Sequence, residues 1–125
     1  MVMVFLDSNT IIYLSKGFVE VDEIFTDGEE CGISIITYME VLGYEFETSK
    51  EKAIIEELLS YMNIVYIDEA IAKKVIQIKQ KNKIKLPDAI ICATTMIHNG
   101  TLITNDVRLQ NIKNLKVKII GMRSK

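Results

Sequence analysis

Four acidic residues have the type and spacing to do chemistry: Asp7, Glu40, Asp88 and Asp106. Asp7 directly follows a predicted strand, Glu40 lies in the first predicted turn of the helix after the second strand, and Asp106 comes shortly after the fourth. Asp88 opens the helix that leads into that fourth strand. In parallel sheets the strands end at one edge, where ligand sites lie. We therefore expect the four carboxylates to converge there.

Carboxylates gathered in this way raise one another's pKa values and tend to hold protons, and a divalent cation removes the repulsion. Oxygen ligands without a His or Cys cluster favour a hard ion such as Mg²⁺ or Mn²⁺. Hydroxyl and amide residues accompany the acids and could support them: Ser8, Asn9, Thr10, Thr104 and Asn105. The whole set predicts a metal site.

Each acid also has a purely structural explanation, which the sequence leaves open. Asp7 and Asp106 could be helix N-caps. Thr37 and Glu40 have the spacing of a capping box, which would bind the Glu40 carboxylate to a backbone N–H. Asp88 could simply compensate the dipole of its helix, and an acid at that position is expected to stay ionised.

Apolar runs rich in β-formers predict the strands that position these acids. They cover residues 2–6, 32–36, 63–67, 101–104 and 116–120. Helical patterns fall between them, at residues 11–17, 21–25, 37–46, 49–62 and 68–78, with a short turn or helix at 106–110. This alternation predicts an α/β fold of three layers, α/β/α, with a mainly parallel central sheet.

The helix that carries Asp88 has a clear start and stop. Pro87, the only proline of the chain, suits a first helical turn, where no backbone donor is needed. The helix is expected to end near His98 or Asn99, with Gly100 as its left-handed stop. His98 is the only histidine, but a histidine in a last turn commonly serves the helix dipole or the surface.

Composition limits the class of protein. A chain of 125 residues with 49% hydrophobic and 26% charged residues predicts one globular domain over residues 1–125. No apolar run approaches the length of a membrane span, so we expect no membrane association and a cytoplasmic location. Cys31 and Cys92 lack metal-ligand spacing, and Cys92 is expected to be a reduced thiol in the core.

Charge is divided between the two halves of the chain. Residues 1–62 carry 13 acids and 3 bases, whereas residues 63–125 carry 4 acids and 12 bases. This asymmetry predicts either a polyanionic partner or an acidic and a basic face. Lys83 and Lys85 lead to Asp88, and Arg108 follows Asp106, so these three cations are candidates for RNA contact. A solvated helix end is the alternative explanation of the lysine run.

The motifs around the four acids together resemble those of the PIN domain, most closely the VapC-type toxins of prokaryotic toxin–antitoxin pairs. The resemblance covers essentially the whole chain, in the right order. It rests on four stretches: Leu6-Asp7-Ser8-Asn9-Thr10-Ile11-Ile12, Glu40, Leu86-Pro87-Asp88-Ala89-Ile90-Ile91-Cys92-Ala93-Thr94 and Leu102-Ile103-Thr104-Asn105-Asp106. Leu109 stands where many members carry an aromatic residue, and Cys92 replaces a commoner alanine. These departures leave the choice of substrate open.

The resemblance implies a PIN-like nuclease domain acting as a Mg²⁺- or Mn²⁺-dependent endoribonuclease, the toxin of a toxin–antitoxin pair. It implies that Asp7, Glu40, Asp88 and Asp106 are the acidic, metal-binding quartet. It also implies a homodimer and inhibition by a small cognate antitoxin. Asn9 and Thr104 correspond to the polar supporting positions of the family.

Two other functions remain open. The segment from Asp7 to Ile11 partly resembles the first motif of haloacid-dehalogenase-type phosphomonoesterases. That motif needs a second aspartate where this chain has Asn9, whose amide cannot serve as an acid or base. The other alternative is a catalytically silent PIN-fold module that only binds.

Overall fold

The computed structural model describes residues 2–121. Five strands form one parallel sheet in the order β3-β2-β1-β4-β5. They are β1 Val2–Leu6, β2 Glu29–Ser34, β3 Asn63–Val65, β4 Thr101–Thr104 and β5 Lys116–Ile119. The expected mainly parallel sheet is confirmed. Because β1 is central and β4 lies beside it, the ends of these two strands are neighbours.

Six α-helices connect these strands. They are α1 Ser8–Ser15, α2 Val21–Ile24, α3 Ile35–Leu42, α4 Ser49–Ser60, α5 Glu69–Lys81 and α6 Leu86–Ile97. A 3₁₀ helix, Val107–Asn111, precedes β5. In residues 2–121, no helix has the length and apolar character needed to cross a membrane.

Side-chain alternation along β1 builds a core on each face of the sheet. Phe5 packs with the residues of α5 and α6, whereas Val4 and Leu6 pack on the opposite face with α1 and α4. Burial on both faces explains why this strand is continuously apolar. The three-layer α/β/α arrangement predicted from the sequence follows from these two cores. Helices α1 and α4 come from the acid-rich half of the chain, and α5 and α6 come from the basic half.

The predicted boundary between β2 and α3 is wrong by two residues. The strand ends at Ser34, whose hydroxyl oxygen accepts a hydrogen bond from the Ile36 backbone N–H at 3.1 Å. Ser34 is therefore the N-cap of α3, and Ile35 and Ile36 are helical. β-Branched side chains favour strands in general, but here the cap decides the conformation.

The predicted stop of α6 is also displaced. The left-handed residue after this helix is Asn99, with φ of 53°, and not Gly100. Gly100 is needed for space, because a Cβ atom there would lie 2.8 Å from the Phe5 ring. On the other side of the same ring, a Cβ atom on Gly32 would also lie 2.8 Å away. These two glycines allow the strands to close around Phe5.

Both cysteines are free, and Cys92 is fully buried in the core as expected. Burial is the main cause that raises the pKa of each thiol, Cys31 and Cys92, to about 12. A thiol with so high a pKa carries almost no thiolate at neutral pH and is a poor nucleophile or metal ligand.

Candidate active site

Asp7 is held by donors from two separate segments. It is the N-cap of α1, and its Oδ1 accepts hydrogen bonds from the Thr10 backbone N–H at 2.9 Å and the Thr10 hydroxyl at 2.6 Å. Its Oδ2 accepts from the hydroxyl of Thr104, at the end of β4, at 2.5 Å. Thr10 and Thr104 are fully buried, so the carboxylate has a fixed orientation. The N-cap explanation is correct for Asp7, and the cap coexists with its place at the strand edge.

Glu40 is not part of a capping box. Because Ser34 caps α3, Glu40 lies in the second turn of that helix. The Thr37 hydroxyl is buried and has no hydrogen-bond partner within residues 2–121. Glu40 instead accepts a hydrogen bond from the Ser8 hydroxyl at 2.6 Å, which links α3 to the start of α1.

Three of the four predicted acids open onto one small cavity of about 120 Å³. We call it the acidic cavity. Its lining residues come from α1, α3, α6 and the end of β1: Asp7, Ser8, Asn9, Glu40, Asp88 and Ile91. Asn9, a predicted supporting residue, is exposed at its edge. The fourth acid, Asp106, does not line this cavity.

Asp88 is the third residue of α6, and its carboxyl is half-buried. Its pKa lies above the ordinary value, first because burial disfavours the charged form and then because of the charges of Asp106, Glu40 and Asp7. The expected crowding of carboxylates is therefore found at Asp88. The four acids come from four distant stretches of the chain, and the other three lie within electrostatic reach of this one.

Asp106 behaves in the opposite way. It caps the 3₁₀ helix by accepting from the Arg108 backbone N–H at 3.0 Å, and it also binds the guanidinium through Nε at 3.0 Å and Nη2 at 2.8 Å. The side-chain hydrogen bond to Arg108 is the main cause that lowers the pKa of Asp106. The expected rise in pKa is wrong for Asp106, because the hydrogen bonds and the charge of Arg108 outweigh the effect of burial. A base two residues after the acid was the available signal in the sequence.

The donor chemistry of the site fits a hard cation, since carboxylate oxygens from three elements line one cavity. In the arrangement described for residues 2–121, however, no group of three or more His, Cys, Asp or Glu residues could hold a metal ion. Both carboxylate oxygens of Asp106 also accept hydrogen bonds from Arg108, so direct ligation by Asp106 would compete with this cation. The metal site therefore stays a prediction.

The three predicted RNA-binding cations lie together. Lys83, Lys85 and Arg108 line a second cavity, of about 130 Å³, which Asp88 also lines. We call it the basic cavity; Asp88 therefore stands between it and the acidic cavity. His98 is exposed and caps the opposite end of α6 from Asp88, in agreement with a non-catalytic role.

Comparison with known proteins identifies the family to which this fold belongs. The family model of the PIN domain matches residues 4–115. No curated protein matches the chain by sequence.

Several solved structures share the fold over nearly the whole chain. A chain of VapBC-1 from nontypeable Haemophilus influenzae is 27% identical, with a TM-score of 0.74, and the match covers 94% of this chain and 97% of that one. A chain of a toxin–antitoxin complex from Klebsiella pneumoniae is 28% identical, with a TM-score of 0.67, and the match covers 94% of this chain and 99% of that one. A chain of VapBC2 from Rickettsia felis, bound to a DNA fragment from its promoter, is 17% identical, with a TM-score of 0.82. This match covers 94% of this chain and 98% of that one. With a family match over most of its length and this fold, the chain belongs to the PIN domain family.

Proposed function

We propose that the protein is a Mg²⁺- or Mn²⁺-dependent endoribonuclease that cleaves RNA phosphodiester bonds. The observation that carries this proposal is the acidic cavity: it gathers carboxylates from three separate elements and includes Asp88, whose pKa is raised in part by the other acids. A protein gains little stability from gathering like charges, so a cationic ligand is the simplest reason for the arrangement.

We further propose that the protein is the toxin of a toxin–antitoxin pair that inhibits translation or growth. The similarity to chains of the Haemophilus influenzae and Klebsiella pneumoniae complexes supports this role. The role implies a cognate antitoxin as partner, a homodimer and a cytoplasmic location.

Each residue of the site has a place in the proposed chemistry. Asp7 and Asp88 would be the principal ligands of the metal, with Asp106 completing the set directly or through water. Glu40 would ligate or orient the attacking water. A bound Mg²⁺ would make that water more nucleophilic and neutralise charge on the phosphodiester. Thr104 holds Asp7 in its orientation, and Asn9 would support the carboxylates or a phosphate.

Phosphate must be held by groups outside the acidic cavity, which repels it. Lys83, Lys85 and Arg108 would supply this attraction from the basic cavity. Because Asp88 borders both cavities, a phosphate bound by these cations would lie next to the acids.

Membership of the PIN family favours the nuclease over the phosphomonoesterase, which also lacks its second aspartate at Asn9. The catalytically silent module is disfavoured because all four acids are present.

The deciding experiment incubates purified protein with total RNA and with a phosphomonoester in the presence of Mg²⁺, Mn²⁺ or a chelator. We expect RNA cleavage that depends on the metal and is lost in Asp88→Asn, with no release of phosphate from the monoester. Intact RNA at saturating Mn²⁺ would favour the silent module, and cleavage that survives in Asp88→Asn would refute the proposed site.

A further inference from the structure

A third cavity, of about 240 Å³, lies between α5, α6 and the segment that follows the 3₁₀ helix. Three lysines line it, Lys74, Lys81 and Lys113, together with four amide side chains and an apolar floor that includes Ile112. No acidic residue is among its lining residues. We call it the lysine groove.

The lysine groove neighbours the basic cavity, which in turn neighbours the acidic cavity of the proposed active site. Ile112 lines both this groove and the basic cavity, and Asp88 lines both the basic cavity and the acidic cavity. The three recesses therefore follow one another along the surface. Positive side chains line the first two recesses, and carboxylates line the third.

Within the described part of the chain, the lysines of the groove form no ion pairs. The two ion pairs found in residues 2–121 join Lys73 to Glu69 and Arg108 to Asp106, and neither uses a lysine of the groove. Lys74 and Lys81 lie seven residues apart on α5, which places them on the same face of that helix. Lys81 and Lys113 are exposed, so their charges can reach a ligand in solution.

We propose that the lysine groove binds the sugar–phosphate backbone of a single RNA strand and guides the strand through the basic cavity to Asp88. This inference rests on the proposed nuclease function. A polyanion is favoured by the lysines, and the amide side chains can bind phosphate, ribose or base edges. An acidic peptide would match the charge as well, but only a nucleic acid strand gives a reason for the groove to lie next to a basic cavity that borders the carboxylates. The length of the groove would thus determine how many nucleotides next to the cleaved bond contribute to RNA binding.

The test measures the binding of a fluorescent single-stranded RNA to the protein in EDTA, where no metal-dependent cleavage interferes. The variant Lys74→Gln/Lys81→Gln/Lys113→Gln removes the three charges of the groove. A matched control, Lys16→Gln/Lys50→Gln/Lys52→Gln, removes three exposed charges from the acid-rich half of the chain. Lys113→Gln alone tests an exposed position outside the helices, where misfolding is not a concern.

We expect the groove variant to bind RNA about tenfold more weakly and to lose about 2 from the slope of log affinity against log salt. The single variant should show about a third of that change in slope, and the control variant little change. Equal binding by the groove and control variants would overturn the proposal. So would an oligoglutamate peptide that binds to the groove more tightly than the RNA does.

This result can be separated from the proposed function. Cleavage of RNA by the wild-type protein with no effect of the groove substitutions would leave the nuclease standing and remove the groove. If RNA binding depends on the groove but the protein never cleaves RNA, the groove stands as an RNA-binding site and the proposed nuclease function is removed.

Discussion

The ends of β1 and β4 lie side by side in the sheet, and each delivers an aspartate, but the two carboxylates are held in different ways. Asp7 is bound by neutral donors, the backbone N–H and hydroxyl of Thr10 and the hydroxyl of Thr104. Asp106 is bound by the guanidinium of Arg108. Neutral donors fix the orientation of a carboxylate and leave its charge available to a cation. A guanidinium fixes the orientation by neutralising that charge. For the proposed metal, the β1 end would therefore offer a carboxylate with an available charge, whereas the β4 end would offer one that is already paired with a cation.

The strongest test of this comparison is Asp7→Asn. We expect RNA cleavage to fall more than about 100-fold, because the amide keeps the shape of the side chain but loses its negative charge. Asparagine is as good an N-cap as aspartate, so the fold should survive. The matched control is Asp68→Asn at the N-cap of α5, where the carboxylate likewise accepts a backbone N–H at 2.9 Å. A similar loss of cleavage in both variants would show that capping alone matters.

Thr104→Val removes the neutral donor without changing the charge. Cleavage should fall about 10- to 100-fold, because Asp7 loses the group that orients it. Unfolding should become easier by about 1–3 kcal/mol, since a buried hydrogen-bond partner is lost. Denaturant unfolding and cleavage assays measure the two effects. Thr94→Val is the control, because its buried hydroxyl only donates to the Ile90 carbonyl within α6, and cleavage should be unchanged there.

Arg108→Gln should make the β4 end resemble the β1 end. The pKa of Asp106 should rise towards the ordinary value of 3.8, because the main cause that lowers it is gone. In the wild type, the Asp106 carboxylate stabilises the folded state at pH values above its ordinary pKa of 3.8. This stabilisation is lost as the pH falls through the lower pKa of the folded state. The variant should lack this stabilisation. NMR titration of the carboxyl carbon measures the pKa, and an unchanged value would contradict the pairing. The control is Lys73→Gln, which breaks the exposed ion pair with Glu69 and should leave the pKa of Asp106 unaltered.

The smallest expected effect is on the stability of the metal-free protein. Because the folded pKa of Asp88 is raised, the wild type loses stability as the pH rises from the ordinary value of 3.8 through the folded pKa. Asp88→Asn does not ionise and should be more stable than the wild type at pH 7 in EDTA, with less difference near pH 3. Urea unfolding at both pH values measures this. Greater stability of the wild type at pH 7 would mean that burial and the other acids do not raise the folded pKa of Asp88.

The sheet could be predicted because strands buried on both faces leave a strong hydrophobic signal. The run that contains Val4, Phe5 and Leu6 is apolar at every position because each face of the sheet has its own core. The edge where the acids meet followed from the same parallel order. Boundaries that depend on one polar contact could not be read in this way, as at Ser34, where a single hydroxyl begins α3 within a β-branched run.

The details of the candidate site were less visible in the sequence. The spacing of Thr37 and Glu40 fits a capping box, but which residue caps a helix depends on the backbone around it. Likewise, the pairing of Asp106 with Arg108 depends on the local turn and on side-chain orientation, which no periodicity encodes. The sequence indicated which acidic residues lie at the edge of the sheet, but only the structure shows which groups form hydrogen bonds with them there.

The hydrogen bond from Thr104 to Asp7 spans 97 positions of the chain. Asp7 is therefore synthesised well before the hydroxyl that orients it. On the proposed function, a growing chain that ends before Thr104 lacks both this orienting hydroxyl and Asp106, so its catalytic centre is incomplete during that part of elongation.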